Sequence, residues 1–150
     1  MSTAALHRVE VMHGVNLDQL HRRPAGHYGP LSLDELERVI SGFGEELGLQ
    51  VRFFQTNAEG EFVEHLHGLE GMADAVVLNP GAWTHYSWAI RDALEIAALP
   101  AAEVHLSDVK NREEWRRHSV IEELCVISVS GKGPDGYRDA LVRLREEFSR

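Results

Sequence analysis

Sulfur chemistry is nearly absent from the sequence, which holds a single cysteine, Cys125. One cysteine cannot close an intrachain disulfide, and a chain without such staples is expected in a reducing compartment, the cytoplasm. No apolar run approaches the roughly 20 residues that a membrane span needs, and Met1–Val11 lacks the charged-then-apolar order of a secretory signal. Positive charge is also scarce. Fifteen Lys and Arg face 24 Asp and Glu, for a formal net charge of −9. Such a surface repels phosphate backbones, so nucleic acid is not an expected partner. Metal motifs are missing as well: there is no His-Glu-x-x-His and no cysteine cluster, and His65 and His67 sit two apart on a helical segment, off a common face. Gly131-x-Gly133 lacks the third glycine of a dinucleotide fingerprint. Ser87 has no nucleophile elbow around it, which argues against hydrolase chemistry.

What is present is ordinary globular composition, 43% hydrophobic and 26% charged, in 150 residues. That length suits one domain, 1–150, with a real core. Short β-branched runs at Val9–Met12, Val51–Phe54, Ala75–Asn79, Ala102–His105 and Cys125–Ser130 read as strands. Between them, Leu33–Leu47 has helical periodicity, with Ser32 and Glu35 as a capping box and Gly48 as the stop. Glu59–Leu69, Ser87–Ala97 and Asp135–Phe148 are further helix candidates. Strand–helix alternation of this kind predicts an α/β fold, a mainly parallel sheet covered on both faces. One stretch breaks the rhythm. From His13 to Leu31 no period is visible, a length expected of a functional lid or a disordered segment, and Tyr28 with its two arginines favours the lid.

In an open parallel sheet, ligands bind outside the carboxyl ends of the strands. Those ends carry Asn16, Asn79, His85 and His105, and the loop after the fourth strand adds Ser107 and Arg112. His105 can be structural or an acid–base group; Glu103, two residues earlier on the same face, can hold its ring and favour the cation. Asn79-Pro80-Gly81 can be a plain turn, and Asp92 can be a solvated charge. Tyr28 in the lid can merely cover a ligand. A phenol has an ordinary pKa of about 10 and is a poor base, but nearby cations such as Arg23 and Arg112 favour the phenolate. The residues alone leave these alternatives open.

The same residues fall into ordered blocks. His13-Gly14-Val15-Asn16-Leu17 with Arg23 and Tyr28-Gly29 resembles the opening of type II 3-dehydroquinate dehydratases. Gln55-Thr56-Asn57-Ala58-Glu59-Gly60-Glu61 resembles their second block, and Asn79-Pro80-Gly81-Ala82-Trp83-Thr84-His85 with Ala89-Ile90-Arg91-Asp92-Ala93 their third. Glu103-Val104-His105-Leu106-Ser107, then Arg112 to Ser119, resembles the fourth. The resemblance runs from Val9 to Leu144. It implies a flavodoxin-like, doubly wound, five-stranded parallel sheet in three αβα layers, with a lid at about 17–31, no cofactor, no metal, and a homo-oligomer, a dodecamer of four trimers. The implied reaction is trans-dehydration of 3-dehydroquinate to 3-dehydroshikimate, in the shikimate route or quinate breakdown. By position, Tyr28 is the base, Arg23 and Arg112 its cations, Asn16 the holder of a water at the enolate oxygen, and His105, oriented by Glu103, the acid. Asn79, Leu106, Ser107, His85 and Arg116 bind substrate, and Asp92 reaches in from a neighbouring subunit. Spacing to Asn16 and Tyr28 selects Arg23, whereas anchoring on Pro24 selects Arg22. The chain departs from the pattern at His13, Val15, Arg22-Arg23-Pro24, Ala58, Asp108 and Lys110-Asn111. Those changes motivate a second reading, the same dehydration on an amino-substituted ring; a third is a non-catalytic flavodoxin-like binding module.

Overall fold

The computed structural model describes residues 5–150, so the first four residues of the segment read above as no secretory signal lie outside it. Five strands form one sheet: β1 (His7–His13), β2 (Leu49–Gln55), β3 (Ala75–Asn79), β4 (Ala101–His105) and β5 (Ile127–Ser130). Their order is β2-β1-β3-β4-β5, and every pairing is parallel. The central strands are built for this position. All five residues of β3 and of β4 are buried, whereas β2 and β5 at the edges are half open.

Helices α2 (Leu33–Leu47) and α5 (Asp135–Glu147) cover one face, and α3 (Glu59–His67) and α4 (Trp88–Ala97) the other. Val9, Val11, Ile40, Val77, Val104 and Leu141 belong to the first core; Met12, Phe62, Leu66, Leu78, Ile90 and Leu94 belong to the second. Each such side chain removed from water contributes about 1.5–3 kcal/mol, so alternate residues of one strand hold both layers in place. The capping box at Ser32 and Glu35 is formed on both sides, and Gly48 closes α2 in the left-handed conformation. The chain reverses direction at β1, leaving a crevice between the ends of β1 and β3, where doubly wound sheets bind ligands.

The aperiodic reading of the lid needs correction. Leu17–Arg22 forms a 3-10 turn and Ala25–Tyr28 a single-turn helix, α1. Leu17 and Leu20, three apart as a 3-10 turn requires, are buried in the first core. Two anchors are too few to show as a period. The β4–β5 connection carries no long helix; it folds as three short 3-10 turns at Val109–Asn111, Glu114–Arg117 and Glu122–Leu124.

Candidate active site

Two backbone turns meet at the crevice. The Gly14 amide donates to the Asn79 carbonyl at 2.7 Å, and a Cβ on Gly14 would come within 2.3 Å of the Pro80 carbonyl oxygen. Only glycine permits that approach. The Asn79 side-chain oxygen accepts from the Gly81 amide at 3.1 Å, so Asn79-Pro80-Gly81 is a true turn whose asparagine also faces the crevice. Directly after β1, Asn16 takes a left-handed conformation, φ 69°. The turn before Leu17 therefore points the Asn16 residue at the cleft.

The lid delivers Tyr28. Its hydroxyl oxygen accepts from Arg23 Nη2 at 2.5 Å and from Arg112 Nη1 at 2.6 Å. Both guanidiniums also lie over the ring, 4.2 Å and 5.1 Å from its centroid. Arg112 comes from the β4–β5 connection, where its Nη1 also reaches the Ser107 hydroxyl at 3.3 Å. Arg22 points elsewhere, bonding Gln19 on the surface at 3.1 Å. Two guanidinium donors thus converge on one oxygen.

The end of β4 supplies a second unit. His105 Nε2 lies 2.6 Å from Glu103 Oε2, and both side chains are buried. Glu103 also accepts from the Thr84 hydroxyl and, at 2.7 Å, from the Ser119 hydroxyl. Burial alone pushes the Glu103 carboxyl up; the His105 hydrogen bond and charge, with Thr84 and Ser119, outweigh that and hold it below the ordinary carboxylate value. A buried, fully bonded carboxylate is a stable anchor for an imidazolium. His85 stacks 6.4 Å from His105, and its Nδ1 meets the His118 carbonyl at 2.6 Å. Burial is the main influence lowering its pKa, with the charges of His105 and Arg116 adding to it against the His118 carbonyl. Together these influences favour the neutral His85 ring.

These units share one cleft of about 600 Å³, its open mouth included, lined by the turn after β1, the ends of β3 and β4 with the segments that follow them, and the lid. Asn16, Arg23, Tyr28, Asn79, His85, His105, Leu106, Ser107 and Arg116 all line it. Glu103 stands behind His105, and Arg112 reaches the cleft through Tyr28. Asp92 does not join them; it is exposed on α4. Sequence reasoning gave no role to Thr84 and Ser119, which hold Glu103 from 19 and 16 residues away. A hydroxyl in a connection carries no signal of its own.

The model of the dehydroquinase class II family matches residues 7–145. The chain belongs to that family. Its relatives include a 3-dehydroquinate dehydratase of Syntrophotalea carbinolica, 46% identical over 136 residues, covering 90% of this chain and 92% of the relative. Another, from Thermotoga neapolitana, is 46% identical over 139 residues, covering 93% and 94%. The crystal structure of a type II dehydroquinase from Butyrivibrio crossotus superposes with a TM-score of 0.89 at 35% identity, covering 93% and 98%. Within this dehydroquinase chain, the departures noted in the sequence mostly avoid the cleft. Val15 lines it, whereas Ala58, Lys110 and Asn111 are exposed outside its lining and His13 is buried beneath the turn.

Proposed function

We propose that this chain catalyses the trans-dehydration of 3-dehydroquinate to 3-dehydroshikimate through an enolate. The observation that carries the reading is the Tyr28 oxygen held by Arg23 and Arg112, in the cleft that also receives the Glu103–His105 pair. Tyr28, as phenolate, takes the proton beside the ketone, and the electron pair moves onto the carbonyl oxygen. Asn16 holds a water against that oxygen, a donor set before charge develops. The enolate then collapses, the carbon–oxygen bond to the hydroxyl breaks, and His105 gives its proton to the departing group, which leaves as water. One proton then passes from Tyr28 back to His105 through solvent to reset the site. Asn79 and the backbone amides of Leu106 and Ser107 hold the carboxylate and hydroxyls, and His85 and Arg116 bind ring hydroxyls.

Asp92 contributes from a neighbouring subunit of a homo-oligomer, a dodecamer of four trimers; its exposure outside this chain's own cleft fits that role. The enzyme needs no cofactor in this scheme and works in the cytoplasm; among the described residues no helix is long and apolar enough to cross a membrane. The test is direct: purified protein is mixed with 3-dehydroquinate and the conjugated enone is followed by ultraviolet absorbance. Turnover supports the assignment, and its absence at high enzyme concentration overturns it. Of the departures that motivate the amino-ring reading, Val15 lines the cleft, and turnover with an amino analogue alone would select that reading. A binding module has no use for a base and an acid held by separate charge networks.

A further inference from the structure

The left-handed Asn16 is gripped from outside the lid. Its backbone amide donates to Asn57 Oδ1 at 2.8 Å. Asn57, in the β2–α3 connection, also accepts from Gln55 Nε2 at 3.2 Å, and that same Gln55 nitrogen donates to the Gly14 carbonyl at 3.2 Å. The other end of the Asn57 amide donates to Asp18 Oδ2 at 3.2 Å. The second Asp18 carboxylate oxygen is buried with no partner among the described residues, so this carboxylate's contact is the Asn57 amide. One amide therefore closes a ring around the turn: it takes the Asn16 N–H on one side and ties down Asp18, two residues further on, on the other. Asn16 and Ala98 are the two non-glycine residues with positive φ among those described, and a conformation of that kind persists only where its surroundings over-determine it.

We propose that Asn57 is a positioning residue for catalysis, the clamp that sets Asn16 at the reacting oxygen, with Asp18 orienting the clamp. This rests on the role given to Asn16 above. Asn57 itself lines no part of the cleft, so its effect passes through Asn16. Because Asn16 meets charge that exists only after proton abstraction, loosening the clamp slows turnover more than it weakens substrate binding.

The test uses four variants of the full chain, with kcat and KM for 3-dehydroquinate and exchange of the Asn16 amide by deuterium mass spectrometry. Asn57→Ala is expected to lower kcat by roughly 10- to 100-fold while KM moves by less than about threefold. Asn57→Asp keeps the acceptor for Asn16 but turns a donor into a charge facing Asp18, and kcat falls again. The exchanged pair Asp18→Asn with Asn57→Asp restores donor to acceptor and should bring kcat back to within about threefold of the parent. A kcat near normal in Asn57→Ala, or an exchanged pair no better than Asn57→Asp alone, overturns the proposal. Asn16→Ala separates the two readings. If it turns over normally, the role of Asn16 fails, and the clamp is judged by the Asn16 amide alone. That amide should exchange at least about tenfold faster in Asn57→Ala; an unchanged rate sinks the clamp too.

Discussion

Two partly or wholly hidden tyrosines differ in what surrounds the oxygen. Burial pushes the Tyr137 phenol up to about 12, and no cation answers it, so it serves the core. Tyr28 turns its oxygen to two guanidiniums. Tyr28→Phe removes that oxygen and leaves the ring, so kcat is expected to fall by at least about 10²-fold while substrate binding, measured calorimetrically, changes little. A variant with a near-normal rate would remove Tyr28 as the base. Glu103 makes a separate prediction through pH. Its folded pKa is held below the ordinary value, so it stabilises the fold fully above the ordinary carboxylate pKa of about 4.3. That contribution disappears as pH falls through the lower folded value, because the unfolded chain binds the proton first. Melting temperatures taken across the acid range should therefore fall less steeply with acid in Glu103→Gln than in the parent. Parallel curves would show that Glu103 carries no linked stability.

At the scale of elements, legibility followed the number of residues sharing a signal. Fully buried β3 reads as an apolar run because both faces of a central parallel strand are covered, while β4, equally buried, interrupts its apolar residues with the site pair Glu103 and His105. Helix α2 announced both ends, since Ser32 and Glu35 cap each other and Gly48 takes a positive φ. The 3-10 turn of the lid hid because two leucines make no period. The clamp hid for another reason: Asn57 meets Asn16 across 41 residues, and no local pattern encodes such a contact. Likewise, the choice between Arg22 and Arg23 stayed open until the turn showed which arginine points at Tyr28. A cap is also the easiest element to test. Ser32→Ala removes one side of the capping box and is expected to cost about 1 kcal/mol, read as a shift in the urea midpoint. Turnover should stay normal, because α2 lines no part of the cleft; a loss of rate would mean the cap and the lid are coupled.

For the whole molecule, α4 presents a face that does not suit a lone subunit. Trp88, Asp92 and Ile96 follow one another at four-residue spacing on its outer side, and Trp88 and Ile96 are 65% and 68% exposed, with Tyr86 beside them at 58%. Large apolar side chains grouped in this way mark an interaction surface, and the carboxylate among them is the one assigned to a neighbour's site. The net charge of −9 opposes association in general, so the proposed contact must be specific. Complementation tests the shared site without depending on stability. Tyr28→Phe and Asp92→Ala chains should each be nearly inactive alone. Unfolded together in equal amounts and refolded, they should regain activity, because a protomer with an intact Tyr28 then meets a neighbour with an intact Asp92. Random pairing in a closed ring makes about one site in four complete. Activity equal to the sum of the two separate variants would show that Asp92 serves its own chain or none. Light scattering on the same samples distinguishes that result from failure to assemble, since a monomer would lack neighbours altogether.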